Sequence, residues 1–312
     1  MMINYTKRIL ILLIILQLGA CSIFSSRPEV DESIIIKGIS GENRQFILAG
    51  LPSYVDEDEV YRIENEKELA LLSILQERED QLKVYYVSDN EISIDRTFSY
   101  IESVIPYTFN IVITEIPYSR KDVVLMTLYS LEIKPNDTDY KRIFNSASEW
   151  NDSIITTDMG IREKIKSIHD KIVLNTEYDT SVLEIVLNAS VKHPSFSAVG
   201  VFDYNTAVCS GYSRAFNVMA HDADIPSLMV SSISMFHAWN LVYDGLNWKF
   251  IDTTFNDPIP DRDGRVLYSY YLLDKKQFLQ DGIHQFDEST DQTLTAEEYI
   301  EFAEYVYPET KQ

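Results

Sequence analysis

A chain of 312 residues with 45% hydrophobic content holds ample material for a core, as one large domain or two modest ones. Its formal net charge of −22 repels nucleic acid and anionic headgroups, which argues against binding either through the general field, while a cationic segment of a partner would be attracted. There are two cysteines, Cys21 and Cys209.

Residues 1–20 have the shape of an export signal. Lys7 and Arg8 precede an aliphatic run, Ile9 to Leu16, that is too short to span a bilayer. Leu18-Gly19-Ala20-Cys21 resembles a bacterial lipobox, which implies cleavage before Cys21 and lipid on its sulfur. The chain would then be anchored on the extracytoplasmic side of a bacterial membrane. With Cys21 acylated no intrachain disulfide can form, and Cys209 is left as a lone thiol.

Residues 21–62 read as a tether with short strands. Residues 63–135 read as a small α+β region. Asn65 followed by Glu68 predicts a capped helix whose stripe runs through Leu69, Leu72 and Leu75. Leu82 to Val87, Ile111 to Ile113 and Val123 to Leu131 have strand composition, and Phe98 to Ile105 reads as helix. From 136 two amphipathic stripes follow, Tyr140 to Trp150 and Ile161 to Ile172, the second expected beneath a later helix. Gly200 to Thr206 is expected to lead the chain back to that helix. Tyr268 to Leu273 has strand character, and the tail from 276 to 312 ends in a helix, Ala296 to Tyr305.

In Thr206-Ala207-Val208-Cys209-Ser210-Gly211-Tyr212, Cys209 opens a helix whose stripe is Tyr212, Ala215, Phe216 and Met219. Ser213, Arg214 and Asn217 are expected to face away from the core. A thiol in the first turn meets unpaired N–H groups and the positive end of the helix dipole, an environment that suits a nucleophilic thiolate. Downstream, Asp244-Gly245 between two aromatic-rich runs predicts a hairpin. With a two-residue loop Tyr243 pairs with Leu246, Leu241 with Trp248 and Trp239 with Phe250, so His237 faces Asp252. Directly opposed residues bring a carboxylate within reach of an imidazole.

Val-Cys-Ser-Gly-Tyr, His-Ala-Trp-Asn and Trp-Lys-Phe-Ile-Asp, in that order, strongly resemble the transglutaminase-like superfamily of papain-type folds over roughly residues 160–275. The resemblance implies an α+β core, with a catalytic helix packed on an antiparallel sheet in a domain spanning 136–275. It also implies Cys209 as nucleophile, His237 as base and Asp252 as the acid that orients it. The implied activity is that of a Cys-His-Asp hydrolase or acyltransferase working through a thioester on peptide, protein or cell-wall amides. Such chemistry needs oxyanion donors, for which Asn175, Tyr178, Tyr204 and Trp239 are cleft candidates beside the Cys209 N–H. The alternative is a catalytically silent binding or scaffold module at the cell envelope.

No metal or other cofactor is expected. No histidine pair has zinc spacing, and Asp257, Asp261 and Asp263 do not fit a calcium loop around Gly264. His193 and His284 read as residues of polar loops, and His221 as a cation suited to a helix C-terminus.

Overall fold

The computed structural model describes residues 60–311 apart from 89, 117–127, 139, 185–192, 258 and 263. The expected signal, Cys21 and most of the tether lie outside the described residues. No described helix is long and apolar enough to cross a membrane.

The first elements are β1 (Val60–Arg62), α1 (Glu66–Arg78), β2 (Lys83–Val87), α2 (Ile94–Val104), β3 (Phe109–Ile116) and β4 (Leu128–Pro135). The strands form one sheet in the order β1-β2-β4-β3, parallel only between β1 and β2. The Asn65 side chain accepts from the Glu68 N–H at 3.1 Å and so starts α1 where predicted. Helix α2 begins earlier than the apolar stripe suggested, because Ser93 caps it by accepting from the Arg96 N–H. Leu69, Leu72, Ile101, Leu131 and Ile133 are buried between these helices and the sheet.

Helices α3 (Arg142–Asp152) and α4 (Ile161–Val173) follow, with Ile165, Ile168 and Ile172 fully buried. The pair β5 (Glu177–Tyr178) and β6 (Thr206–Ala207) brackets a segment in which a helix appears where a connecting stretch was expected. This is α5 (Ala198–Tyr204), started by Ser197 accepting from the Val199 N–H and ended by Asn205 in the left-handed region. A side chain on Gly200 would meet the Thr206 carbonyl at 2.6 Å, so the return of the chain toward Cys209 depends on glycine there.

Helix α6 (Cys209–Asp222) packs against α3, α4, α5 and the third sheet. It is buried on nearly every side, which corrects the expectation that Ser213, Arg214 and Asn217 face away. The Arg214 guanidinium donates to the carbonyls of Ile105 and Tyr107 and pairs with Glu102, while the Asn217 amide donates to Ser103 and Val104. These polar side chains satisfy carbonyls that the C-terminus of α2 leaves open.

His221 is also corrected. It is buried and lies against the Ser227 carbonyl at 2.7 Å and the Tyr307 hydroxyl at 3.0 Å. Burial, against the upward pull of that carbonyl, pushes its pKa down to about 4, so it is neutral and not a cation.

The third sheet is β7 (Ser227–Ser232), β8 (His237–Tyr243) and β9 (Trp248–Ile251), antiparallel in that order. Its hairpin exists, but the register differs from the expected one by two residues. Tyr243 pairs with Trp248 and Leu241 with Phe250. The cause is Asp244, whose carboxylate accepts from the N–H groups of Leu246 and Asn247 and closes a four-residue loop. Tyr268 to Leu273 forms no strand beyond an isolated bridge from Leu273 to Phe250. Short α7 (Lys275–Phe278) and α8 (Ala296–Val306), the predicted terminal helix, complete the fold. One apolar cluster runs from Ile63 through α6 and the third sheet to Tyr307.

Candidate functional site

The site gathers where the start of α6, the start of β8 and the turn after β9 meet. Cys209 takes the first helical position, after Val208 in extended conformation. Its neighbour Gly211 explains part of the motif, since a Cβ there would meet the Ser195 carbonyl at 2.4 Å. Tyr212 runs under the helix, bonded to the Thr176 carbonyl and to the Asp257 carboxylate. Burial raises Asp257 to about 6, against the pull of that hydroxyl.

His237 Nε2 lies 2.6 Å from Asp252 Oδ2, so this pair forms despite the register error. A shift of two residues leaves both side chains on the same face, as diagonal instead of direct neighbours. Asp252 is fully buried. Its Oδ1 accepts from the Phe255 N–H at 2.9 Å, and its Oδ2 also lies 2.9 Å from His284 Nε2. Burial opposes the charge on Asp252, but the two histidines and the Phe255 N–H outweigh it and hold its pKa near 2. Burial likewise works against a charge on His237, and the Asp252 charge and hydrogen bond overcome it, with smaller contributions from Cys209. The outcome is a pKa raised to about 10.

His284 is the residue that sequence reasoning missed. It lies in a loop as expected, but it is 1% exposed instead of standing in polar surroundings, and its Nδ1 lies 2.8 Å from Asp281 Oδ2. Phe278, Tyr270, Phe255 and Trp239 surround its ring, with centroids 4.2 to 5.5 Å away. The spacing of Asp281 and His284 was a local hint; nothing local pointed to Asp252.

The cleft candidates separate. Tyr178 is half-buried, and burial followed by the nearby Cys209 raises it to about 12. Trp239 is fully buried with its ring 5.8 Å from His237, and its indole N–H finds no partner among the described residues. Asn175 donates to the Lys171 carbonyl at 2.7 Å at the end of α4, and Tyr204 is 61% exposed.

These contacts correct the expected enzyme. The donor atoms that close to within 4.8 Å of one another belong to His237, Asp252 and His284, a His-Asp-His group that leaves Cys209 out. Asp252 is shared by two imidazoles instead of orienting one. Against burial, Asp252 and more weakly Cys209 hold His237 toward its protonated form. The Cys209 S–H is directed at the Phe236 carbonyl, 3.9 Å away. The readings as a cysteine nucleophile, a hydrolase and an acyltransferase fall with that geometry.

Residues 148–253, about a third of the chain, match the model of the transglutaminase-like superfamily. They form an α+β core of helices and sheets, as the resemblance implied. Among solved structures, a TGase superposes with a TM-score of 0.35 at 16% identity, over 70% of this chain. The chain spans 64% of that protein's length. A protein described as a cysteine protease from Cytophaga hutchinsonii gives a TM-score of 0.28 at 14% identity, over 51% of this chain and 67% of the other. A search of curated proteins finds no match.

Proposed function

We propose that the chain is a transglutaminase-like module that binds without turnover, held at the bacterial cell envelope through lipid on Cys21. The observation that carries this reading is the division of Asp252 between His237 and His284, with the Cys209 thiol directed at a backbone carbonyl. In such a group the carboxylate is divided between two imidazoles instead of orienting one toward the sulfur.

The surface beside it suits a peptide-like partner. Phe236 is 85% exposed at a φ of 50°, a left-handed conformation that costs an aromatic residue energy, and it immediately precedes His237. Ile233, in the same turn, is 54% exposed, and the Asp287 carboxylate anchors the turn through the N–H groups of Ile233 and Ser234. An apolar tip on an acidic body favours a segment that carries both apolar and cationic side chains.

The test compares wild type with Cys209→Ala for incorporation of an amine into a glutaminyl peptide and for cleavage of the same peptide. No Cys209-dependent product is expected. Turnover that vanishes in the variant would sink the proposal.

A further inference from the structure

We infer that His237, Asp252 and His284 form a binding site for one divalent first-row transition metal ion of the zinc class. This goes beyond the binding reading above and does not depend on the identity of any peptide partner. Three observations carry it.

Three donors from separate parts of the chain converge. Nε2 of His237 and Nε2 of His284 both address a single oxygen, Asp252 Oδ2, at 2.6 and 2.9 Å. The other oxygen of that carboxylate is taken by the Phe255 N–H, so the convergent oxygen is the one left for a ligand. Nitrogen and carboxylate donors in this combination suit zinc and its neighbours better than calcium or magnesium.

The outer contacts of His284 are those of a ligating histidine. Its Nδ1 lies 2.8 Å from Asp281 Oδ2, which leaves Nε2 as the nitrogen turned toward Asp252, 2.9 Å away. Asp281 is then the outer carboxylate that orients the ring.

The surroundings are those of a dry metal pocket. His284 is enclosed by Phe278, Tyr270, Phe255 and Trp239, while the His237 side chain retains 9% of its surface as a way in for the ion. Ligands at about 2.0–2.2 Å from a tetrahedral ion lie roughly 3.3 Å apart, so entry requires the three donors to spread by about half an ångström. Side-chain rotation covers that distance. Binding displaces the protons now held between the imidazoles and Oδ2, which leave to solvent.

The experiment titrates Zn²⁺ alone into purified full-length chain that has been stripped with a chelator, read by calorimetry. One equivalent is expected to bind with Kd below about 10 μM. His284→Gln should abolish that site. Asp281→Asn, which removes only the outer carboxylate, should weaken it by about 10- to 100-fold. His193→Gln, outside the cluster, should leave it unchanged. A chain with no site tighter than about 10 μM, or stoichiometric binding that survives both His284→Gln and Asp281→Asn, overturns the inference. Should His284→Gln fail to fold, Asp281→Asn with unchanged affinity overturns it alone.

Discussion

Acid should loosen this fold through His221, and the effect can be sized. Its folded pKa of about 4 lies below the ordinary 6.5, so the native protein holds it neutral while the unfolded chain takes up a proton. The stability it contributes is complete above pH 6.5 and is lost as the pH falls toward 4. A gap of 2.5 units corresponds to about 3.4 kcal/mol in total, of which about 2 kcal/mol disappears between pH 7 and pH 5. For a chain of this size that is a fall in Tm of about 4–8 °C. The comparison is with His221→Gln, whose amide can still donate to the Ser227 carbonyl but does not titrate. The variant should be less stable than wild type at pH 7 by about 1 kcal/mol. Its Tm should then fall less over the same range, so that the two curves approach each other in acid. His169, whose pKa burial also lowers, and Asp257, raised to about 6 by burial, titrate in both proteins and cancel in the difference. Parallel Tm profiles from pH 7 to pH 5 would refute the argument.

Other substitutions probe the scaffold. Gly211→Ala drives a methyl group into the Ser195 carbonyl and should cost about 1–3 kcal/mol in urea unfolding, with loss of the α6 contact to residues 195–197. Arg214→Met removes a guanidinium that serves two carbonyls and Glu102, leaving the carbonyls buried without it, and should lower stability by about 1–3 kcal/mol. Asp244→Ala opens the hairpin loop and should cost about 1–2 kcal/mol, seen as faster amide exchange at Leu246 and Asn247. Little of that loss comes from the Arg162 pair, because the arginine side chain is 58% exposed.

Much of the architecture was legible because it is written in local signals. Asn65 and Glu68 announce α1, Asp244-Gly245 announces the hairpin, and the helical stripe from Tyr212 to Met219 announces α6. The pairing of His237 with Asp252 was legible for a less secure reason. The loop proved longer than two residues, and an even shift preserved the face; a shift of one would have separated the side chains. What stayed hidden was contact between distant segments. Nothing around His284 indicates that it will be folded against Asp252, and that contact is what alters the chemistry expected of the site. The burial of Arg214 and Asn217 was hidden likewise, since their partners are carbonyls at the end of another helix and carry no sequence signature. Helix α5 had readable caps in Ser197 and Asn205, masked by a glycine that reads as loop.

The polar face of α6 bears on how the chain could be dissected. Cutting between β4 and α3 would part a guanidinium and an amide from the helix end they close, and would bare apolar surface on both fragments. The amino-terminal piece would be left with a frayed α2, and the carboxy-terminal piece with a cationic socket opened to water. The match to residues 148–253 is therefore a poor guide to where scissors should fall.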